Sequence, residues 1–261
     1  GLTLVYDFQS SLFNYFFYST LFLSGSILMR SAGCIVNDIA DKNFDIIVER
    51  TKDRPIASGK ISITQGFLYS GILCLIALIV LLQFNKFTIL LALGSMPLAF
   101  TYPLMKRFTY WPQLFLGITF NYGLILGWTT IKDQIDIIPI IFYFGAIFWT
   151  LGYDTIYGFQ DIKDDEIIGV KSTSIKFKKN PKFFILLCYL VFIVILTYLG
   201  ILMNFNKIYF GGLILIAMHL FIFQIKNLNT NLSSNCLKIF KSNNFLGLLI
   251  FLNLLIAKII T

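Results

Sequence analysis

Apolar residues occur along this chain in eight long runs, separated by short stretches that carry polar and basic residues. A helix needs roughly 20 apolar residues to cross a hydrocarbon core about 30 Å thick, and the runs have about this length. They lack the strict alternation of barrel strands, so they predict helices that pair their own backbone polar groups in lipid. The predicted spans are residues 12–36, 63–84, 87–105, 112–131, 137–157, 183–203, 209–225 and 245–260.

The composition agrees with a protein that resides in a bilayer. Hydrophobic residues make up 57% of the chain, aromatic residues 17% and charged residues 13%, with a mean hydropathy of +0.79. Soluble domains carry about 25% charged residues. The predicted fold class is therefore all-α, a polytopic transmembrane helical bundle, and residues 1–261 are expected to form one membrane-embedded domain.

Lysine and arginine residues are unevenly distributed over the connections between these runs. The first, third, fifth and seventh connections contain sixteen of them, whereas the second, fourth and sixth contain three. Cytoplasmic loops carry such an excess, so the odd-numbered connections are expected to face the cytoplasm, or the matrix in a mitochondrion. The expected location is a bacterial inner membrane, with the mitochondrial inner membrane as the alternative. Topology and anionic lipid headgroups then account for the net charge of +8, and nucleic acid is not an expected partner.

Two clusters hold nine of the thirteen acidic residues, and both start at the cytoplasmic end of a predicted helix, at the first and fifth connections. Asp41 and Asp45 lie four residues apart, so on a helix they share a face. Like charges on one face repel each other unless a cation neutralises them. The second cluster repeats this spacing with Asp161 and Asp165. If the helices extend through the clusters, the two stripes also contain Arg30 and Asn37 in the first and Asp154 and Tyr157 in the second.

Carboxylate oxygens without a histidine or cysteine cluster favour Mg²⁺ over Zn²⁺, and Mg²⁺ commonly shares its coordination sphere with phosphate oxygens. A solvated loop face is the alternative reading of one such cluster. Two clusters on the same predicted membrane side, each with polar residues inside the membrane run, favour a binding site instead. The pattern predicts a magnesium-dependent site for a lipid diphosphate. Nearby basic residues that suit phosphate binding are Arg50, Arg54, Lys106 and Arg107.

Three segments carry a family resemblance: LMRSAGCIVNDIADKNFDIIVERTKDRPIASGKIS, TYPLMKRFTYWPQLFLG and YDTIYGFQDIKDDEIIGVKSTSIKF. In this order and spacing they resemble the UbiA superfamily of membrane aromatic prenyltransferases, and within it the 4-hydroxybenzoate polyprenyltransferase family of ubiquinone biosynthesis. The resemblance implies a fold of nine transmembrane helices around a lipid-accessible cavity with a cytoplasmic cap. With eight predicted helices, this chain is expected to lack the family's first one.

By this resemblance, the chain would transfer a polyprenyl group from polyprenyl diphosphate to the ring carbon ortho to the hydroxyl of 4-hydroxybenzoate. Asn37, Asp41 and Asp45 would form the first magnesium-diphosphate motif. Asp161 and Asp165 would form the second. As catalytic groups, the four aspartates would hold Mg²⁺, and Lys106 would stabilise the leaving diphosphate. Arg50, Arg54 and Arg107 would face the diphosphate or the carboxylate of the acceptor. Apart from the resemblance, charge inside a membrane run adds Arg30 and Asp154 as expected substrate-binding residues, and electron-rich rings add Tyr102 and Tyr157.

Three other classes are alternatives to this reading. Another prenyltransferase of the same superfamily, of menaquinone, haem O or chlorophyll type, would use a different aromatic acceptor. A secondary transporter or magnesium channel would also place charges inside helices, but it predicts broken helices at the membrane midplane rather than acidic helix ends. A soluble prenyl diphosphate synthase also uses paired aspartate motifs, and eight runs of bilayer length exclude it.

Overall fold

The computed structural model describes residues 1–260, which form helices joined by turns and contain no strand. Within this range, eight helical segments are long and apolar enough to cross a membrane. The all-α prediction is confirmed, and each segment overlaps one predicted run, as expected of a multi-pass membrane protein. The segments are Leu12–Asp45, Ile63–Leu81, Lys86–Phe108, Pro112–Lys132, Ile137–Gly158, Pro181–Leu202, Lys207–Lys226 and Ser233–Ile260.

The structure consists of two compact units. The N-terminal unit is Asp7–Leu104, and the C-terminal unit combines Gly1–Tyr6 with the residues from Met105 onward. Whether the chain behaves as one domain over residues 1–261 stays a prediction.

Three helices and one 3₁₀ turn form the N-terminal unit. Its main contact is the packing of the first helix along the second. The second helix begins with a capping box, in which the Ser62 hydroxyl accepts from the Gln65 N–H and the Gln65 side chain accepts from the Ser62 N–H. The elements are α2 (Leu12–Asp45), α3 (Ile63–Leu81), α4 (Lys86–Thr101) and a 3₁₀ turn (Tyr102–Leu104). The short helix α1 (Leu2–Val5) precedes them in the chain and belongs to the C-terminal unit.

The C-terminal unit is built around one central helix, α8, which packs against α6, α7, α11 and α13. The short helix α1 is buried against α7 and α13. The elements of the C-terminal unit are α1 (Leu2–Val5), α5 (Met105–Phe108), α6 (Pro112–Phe120), α7 (Gly123–Lys132), α8 (Ile137–Gly158), α9 (Ile162–Ile168), α10 (Thr173–Lys176), α11 (Pro181–Leu202), α12 (Lys207–Met218) with its π-helical continuation (His219–Lys226), and α13 (Ser233–Ile260).

A buried polar network ties four of these elements together. The Tyr189 hydroxyl donates to Gln224 Oε1 at 2.6 Å, and Gln224 Nε2 donates to Asn243 Oδ1 at 3.0 Å. The Trp149 indole N–H donates to the same Asn243 oxygen at 2.9 Å. Because lipid offers no competing partners, such bonds hold helices of similar hydrophobicity in a defined arrangement. They fix α8 against α11, α13 and the π-helical segment.

The helices depart from the predicted spans where polar sequence and proline occur. α2 continues nine residues past the predicted end at position 36 and so includes the first acidic cluster. α13 begins at Ser233 rather than at 245, because its first three turns are polar and give no hydropathy signal. The third run changes after Thr101 from an α-helix to a 3₁₀ turn that contains Pro103, which cannot donate a helical hydrogen bond.

Candidate active site

The first acidic cluster lies on the last turns of α2, at the end of a continuous helix. Asp38, Asp41 and Asp45 are spaced by three and four residues and therefore share one helix face, within roughly 60°. Asp41 is only 3% exposed and Asp45 7%. The prediction that Asp41 and Asp45 share a helix face is confirmed for this cluster.

Arg54 joins two of these carboxylates. Its Nη1 atom donates to Asp38 Oδ1 at 2.9 Å and to Asp45 Oδ2 at 3.0 Å, with 31% of the Arg54 side chain exposed. Hydrogen bonds between a guanidinium and a carboxylate are among the stronger ones in proteins. The guanidinium thus offsets part of the repulsion between neighbouring aspartates and orients them.

The segment that delivers Arg54 is a series of turns between α2 and α3. The buried Thr51 hydroxyl donates to the Asp45 carbonyl at 3.1 Å, which returns the chain to the end of α2. Ile56 is buried, and its side chain lies beside Gly66 of α3 together with that of Ile39 of α2. Apolar packing and one buried hydrogen bond therefore hold the turns against both helices.

Other residues predicted near the first cluster have varied positions. Asn37 is half-buried and lies one turn before Asp41. Arg50 is exposed on the turns, and Tyr102 is half-buried in the 3₁₀ turn. Arg30 is exposed and lies 11 residues before Asp41, which is about 16 Å along the helix axis. The α2 backbone thus keeps Arg30 well away from the acidic end of its own stripe.

An exposed ion pair marks the outer side of the same turns. Lys52 Nζ donates to Glu49 Oε1 at 2.6 Å. This hydrogen bond, with the attraction of the carboxylate, raises the pKa of Lys52. Exposed pairs of this kind add little to stability. Glu49 counts with the first acidic cluster in the sequence, but its exposed side chain lies outside the buried face of Asp41 and Asp45. Glu49 and Lys52 therefore serve as reference residues for charge that is close to this face but not on it.

The second acidic cluster has a different backbone. α8 ends at Gly158, and Asp161 occupies the position before α9 with φ −112° and ψ 11°. The Asp165 N–H donates to the Asp161 carbonyl at 2.9 Å, so this pair spans the first turn of a new, short helix. Acidic residues at a helix N-terminus are favoured by the helix dipole. The sequence predicted one shared stripe for this cluster if α8 extended through it, and that extension is wrong. Asp154 and Tyr157 lie on α8, whereas Asp161 and Asp165 lie beyond its end.

Two glycines permit this change of direction. A Cβ on Gly158 would lie 2.4 Å from the Ser174 hydroxyl oxygen, so the end of α8 accommodates only glycine without a shift. Gly169 ends α9 with φ +80°, in the left-handed region that side chains disfavour. Its N–H donates to the Asp165 carbonyl at 3.0 Å, which closes the helix.

Buried hydroxyl and amide groups anchor the chain that follows the second cluster. The Ser174 hydroxyl donates to the Thr155 carbonyl at 2.7 Å, and the hydroxyls of Thr155 and Thr173 lie 2.6 Å apart. The Thr173 N–H donates to Gln113 Oε1 at 3.0 Å. These bonds connect α10 to α6 and α8. They hold the chain on the C-terminal side of α9 in a fixed position.

Lys171 connects the same segment to the helix that carries two predicted phosphate-binding residues. The Lys171 N–H donates to the Lys106 carbonyl at 2.8 Å, and its Nζ donates to the Phe108 carbonyl at 3.3 Å. The ammonium also lies 5.7 Å from the centre of the Tyr110 ring. Lys106 is half-buried and Arg107 exposed on α5. Within the C-terminal unit, hydrogen bonds therefore connect the chain that follows the second cluster to the Lys106 segment.

Three aromatic residues spaced by four, Trp149, Tyr153 and Tyr157, form a row along α8. Trp149 contacts Tyr153 at 5.6 Å between ring centres, and both Tyr153 and Tyr157 contact Phe240 of α13, at 5.8 and 4.4 Å. Asp154 is half-buried, and it lies between Tyr153 and Tyr157 in the sequence. Electron-rich rings of this kind can face a cation.

Sequence reasoning missed several groups that hold the chain near each cluster in place. Asp38 adjoins the predicted ligand Asn37, and this position favoured a supporting role for it; it shares Arg54 with Asp45. Gln113 and Thr155 lie in apolar runs, and their polarity inside a predicted membrane helix was an available signal. Lys171 gave no signal, because lysine is expected throughout a cytoplasmic connection.

The carboxylates of the acidic clusters are suited to supply part of the ligand set of Mg²⁺ rather than a complete cage. Among residues 1–260, no group of three or more His, Cys, Asp or Glu side chains is arranged to hold a metal ion by itself. Mg²⁺ is usually bound through one or two carboxylates, waters and substrate phosphates rather than by an all-protein cage. The buried, closely spaced carboxylates of Asp41 and Asp45 supply that number of hard oxygen ligands.

Fold and acidic segments together define a multi-pass membrane protein with two carboxylate-rich helix ends. The sequence model of the UbiA prenyltransferase family matches residues 8–255, almost the whole length. The chain therefore belongs to the UbiA prenyltransferase family, and the resemblance noted from its three segments is confirmed.

Curated relatives narrow the comparison. Over 241 residues the chain is 42% identical to 4-hydroxybenzoate polyprenyltransferase, mitochondrial, of Rattus norvegicus, which covers 92% of this chain and 64% of the relative. Over 237 residues it is 39% identical to 4-hydroxybenzoate octaprenyltransferase of Psychromonas ingrahamii, covering 91% of this chain and 82% of the relative. The chain thus spans somewhat less than two thirds of the mitochondrial relative.

Solved structures show the same fold. The apo structure of a UbiA homolog from Aeropyrum pernix K1 has a TM-score of 0.80 at 21% identity, covering 98% of this chain and 92% of that one. A UbiA homolog from Archaeoglobus fulgidus bound to GPP and Mg²⁺ has a TM-score of 0.69 at 17% identity, covering 90% and 84%.

Proposed function

We propose that this chain transfers a polyprenyl group from polyprenyl diphosphate to the ring carbon ortho to the hydroxyl of 4-hydroxybenzoate, giving 3-polyprenyl-4-hydroxybenzoate. The observation that carries the proposal is the 42% identity, over 92% of the chain, to a relative named for this acceptor. A bacterial relative with 39% identity is named for the same acceptor. Both matches cover the two acidic clusters and the Lys106 segment.

The metal proposed for the reaction is Mg²⁺, as in the Archaeoglobus fulgidus homolog that was solved with GPP and Mg²⁺. In the first cluster, Asp41 and Asp45 would hold it, with Asn37 one turn earlier on the same helix. In the second, Asp161 and Asp165 would do so from the start of α9. When bound, Mg²⁺ supplies neutralisation of the diphosphate charge.

The basic residues have two proposed tasks. Arg54 already contacts Asp38 and Asp45, so its task is to orient these carboxylates, and we assign it as a positioning residue. Lys106 would stabilise the charge that develops on the leaving diphosphate. The remaining arginines near the clusters, Arg50 and Arg107, would bind the diphosphate or the carboxylate of the acceptor.

In the proposed reaction, the bond between the allylic carbon and the diphosphate oxygen breaks, and both bonding electrons leave with the diphosphate. The ring carbon ortho to the hydroxyl then forms the new carbon–carbon bond and loses its proton, which restores the aromatic ring. Tyr102 and Tyr157 would each present a ring face to the allylic cation, and Asp154 would bind the substrate. Apolar surroundings would limit capture of the cation by water.

The proposed site faces the basic side of the membrane. We infer that this side is the cytoplasm of a bacterium or the matrix of a mitochondrion, because lysine and arginine concentrate in the odd-numbered connections. Arg30 is exposed within the membrane span of α2 and lies about 16 Å along the helix axis from Asp41. We therefore leave it out of the proposed diphosphate site, and it would instead extend towards lipid headgroups.

The test is prenyl transfer by membranes that contain the chain, with farnesyl diphosphate as donor and radiolabelled 4-hydroxybenzoate as acceptor. Parallel reactions contain Mg²⁺ or EDTA, and benzoate serves as the matched acceptor that lacks the activating hydroxyl. We expect a labelled, lipid-extractable product from 4-hydroxybenzoate only, and its loss in EDTA. A product with another hydroxylated aromatic but not with 4-hydroxybenzoate would overturn the assigned acceptor, and Mg²⁺-independent product would overturn the assigned metal.

A further inference from the structure

A groove of about 450 Å³ lies in the C-terminal unit, between the helix formed by α12 with its π-helical continuation and the middle of α13. Its walls are mainly apolar. The His219 ring packs against the rings of Phe223 and Phe245, with ring centres 5.0 and 5.9 Å apart. The groove is separate from the acidic clusters in sequence and in its lining residues.

The one titratable side chain in the groove is already engaged. His219 Nε2 lies 3.2 Å from the Ser242 hydroxyl, which itself donates to the Ile239 carbonyl at 2.7 Å. Because the Ser242 hydrogen is used there, His219 Nε2 must be the donor of this pair. The Asn227 amide at the end of the groove donates to the Phe223 carbonyl. The surface is therefore suited to a hydrocarbon chain rather than to a polar substrate.

The length of the groove corresponds to one leaflet. Its lining extends from Leu215 to Asn227, which is about 15–18 Å along the helix axis. A hydrocarbon core about 30 Å thick has two leaflets of half that depth. The groove reaches the membrane surface at Asn227, in the seventh connection, which is one of the basic ones.

Two lysines stand at this mouth of the groove. Lys226 follows the lining residue Ile222 by four positions, and Lys241 precedes the lining residue Phe245 by four. Residues four apart share a helix face, so both lysines extend the groove walls towards the surface. Both are exposed, and neither side chain makes a hydrogen bond or ion pair with another residue in the described part of the chain.

We propose that this groove binds a phospholipid with an anionic headgroup, whose acyl chain lies over His219 and whose phosphate contacts Lys226 and Lys241. An apolar groove of single-leaflet depth fits an acyl chain, and two unpaired ammonium groups at its mouth select negative charge. Basic pockets between transmembrane helices bind anionic headgroups. This lipid site is independent of the proposed prenyl transfer.

Native mass spectrometry of the purified chain in detergent tests the proposal, with palmitoyl-oleoyl phosphatidylglycerol and the zwitterionic phosphatidylcholine of the same chains as probes. We expect phosphatidylglycerol to bind roughly tenfold more tightly. Lys226→Gln with Lys241→Gln removes this preference and leaves phosphatidylcholine unchanged. Lys86→Gln with Lys207→Gln, which makes the same charge change on two exposed lysines of even-numbered connections, preserves it. Leu249→Trp, which fills the groove, weakens both lipids.

Three results would overturn the lipid site. Equal binding of the two lipids by the wild type would remove the headgroup assignment. The same loss in the control pair would show that net charge, not this groove, attracts the lipid. Displacement of bound phosphatidylglycerol by geranyl diphosphate would assign the groove to the prenyl donor instead.

Discussion

The two acidic clusters share a spacing of four residues but differ in backbone. The first lies on an unbroken 34-residue helix, where Asp41 and Asp45 are buried and Arg54 contacts the same face. The second starts a seven-residue helix after a break at Gly158, and its charges gain from the helix N-terminus. Equal spacing therefore produces two electrostatic environments: one in which like charges are held together by an arginine, and one in which the backbone itself favours them.

The largest expected effect comes from neutralising one carboxylate in each cluster. Asp41→Asn and Asp161→Asn should each lower prenyl transfer by roughly 100-fold or more, because each removes charge that the proposed Mg²⁺ requires. The matched control is Glu49→Gln, which removes an exposed acid near the first cluster and should retain activity.

The same pair of variants should differ in stability. Asp41→Asn relieves repulsion on a crowded face and should raise the thermal midpoint slightly. Asp161→Asn removes a charge favoured by the start of α9 and should lower it, by about 0.3–1 kcal/mol in unfolding free energy. Thermal unfolding in detergent measures both, and changes of the same sign would contradict the comparison of the two environments.

Arg54→Ala is expected to have the next largest effect, on the first cluster only. It leaves Asp38 and Asp45 without their shared donor, so prenyl transfer should fall roughly tenfold and stability by about 1–2 kcal/mol, after allowance for the partial exposure of the pair. Arg54→Lys should recover part of both, since lysine keeps the charge but not the planar fork. If Arg54→Ala retained full activity, the arginine would not position the carboxylates.

The break at Gly158 offers a test of the second cluster. Gly158→Ala places a methyl group 2.4 Å from the Ser174 hydroxyl, and the shift should cost about 1 kcal/mol or more. Ser174→Ala alone loses its hydrogen bond to the Thr155 carbonyl, at a similar cost. The double variant should be more stable than the sum of the two predicts, as measured by a double-mutant cycle. Additive losses of stability would show that the close approach of Ser174 is not the reason why position 158 requires glycine.

The smallest expected effect is that of Lys171→Met. It removes the bond to the Phe108 carbonyl and the contact with the Tyr110 ring but leaves the backbone bond to Lys106. We expect a few-fold rise in KM for the prenyl diphosphate with kcat almost unchanged, because a hydrogen bond close to the protein surface contributes about 1 kcal/mol or less. Lys179→Gln, an exposed lysine of the same connection, is the control. A drop in kcat with constant KM would contradict a positioning role.

Much of the fold was predictable because hydrophobic length is a strong signal in a membrane protein. All eight predicted runs contain a membrane-length helix in the described residues. Their ends were less predictable: the polar first turns of α13 lie outside the apolar run, and α1 is too short to stand out. The paired aspartates were visible from spacing alone, since residues four apart must share a face if the backbone is helical.

The sequence by itself determined that the chain is a multi-pass membrane protein, how many spans the described residues contain and that two aspartate pairs have a spacing of four, because each depends on local length, composition and spacing. Only the tertiary structure decided that α2 continues through its aspartates while α8 stops before its own, and that Arg54, 9 residues beyond Asp45 in the chain, returns to contact it. The same holds for Lys171, which reaches back 63 residues to Phe108. These contacts depend on where turns place distant side chains, and no periodicity in the sequence encodes that distance.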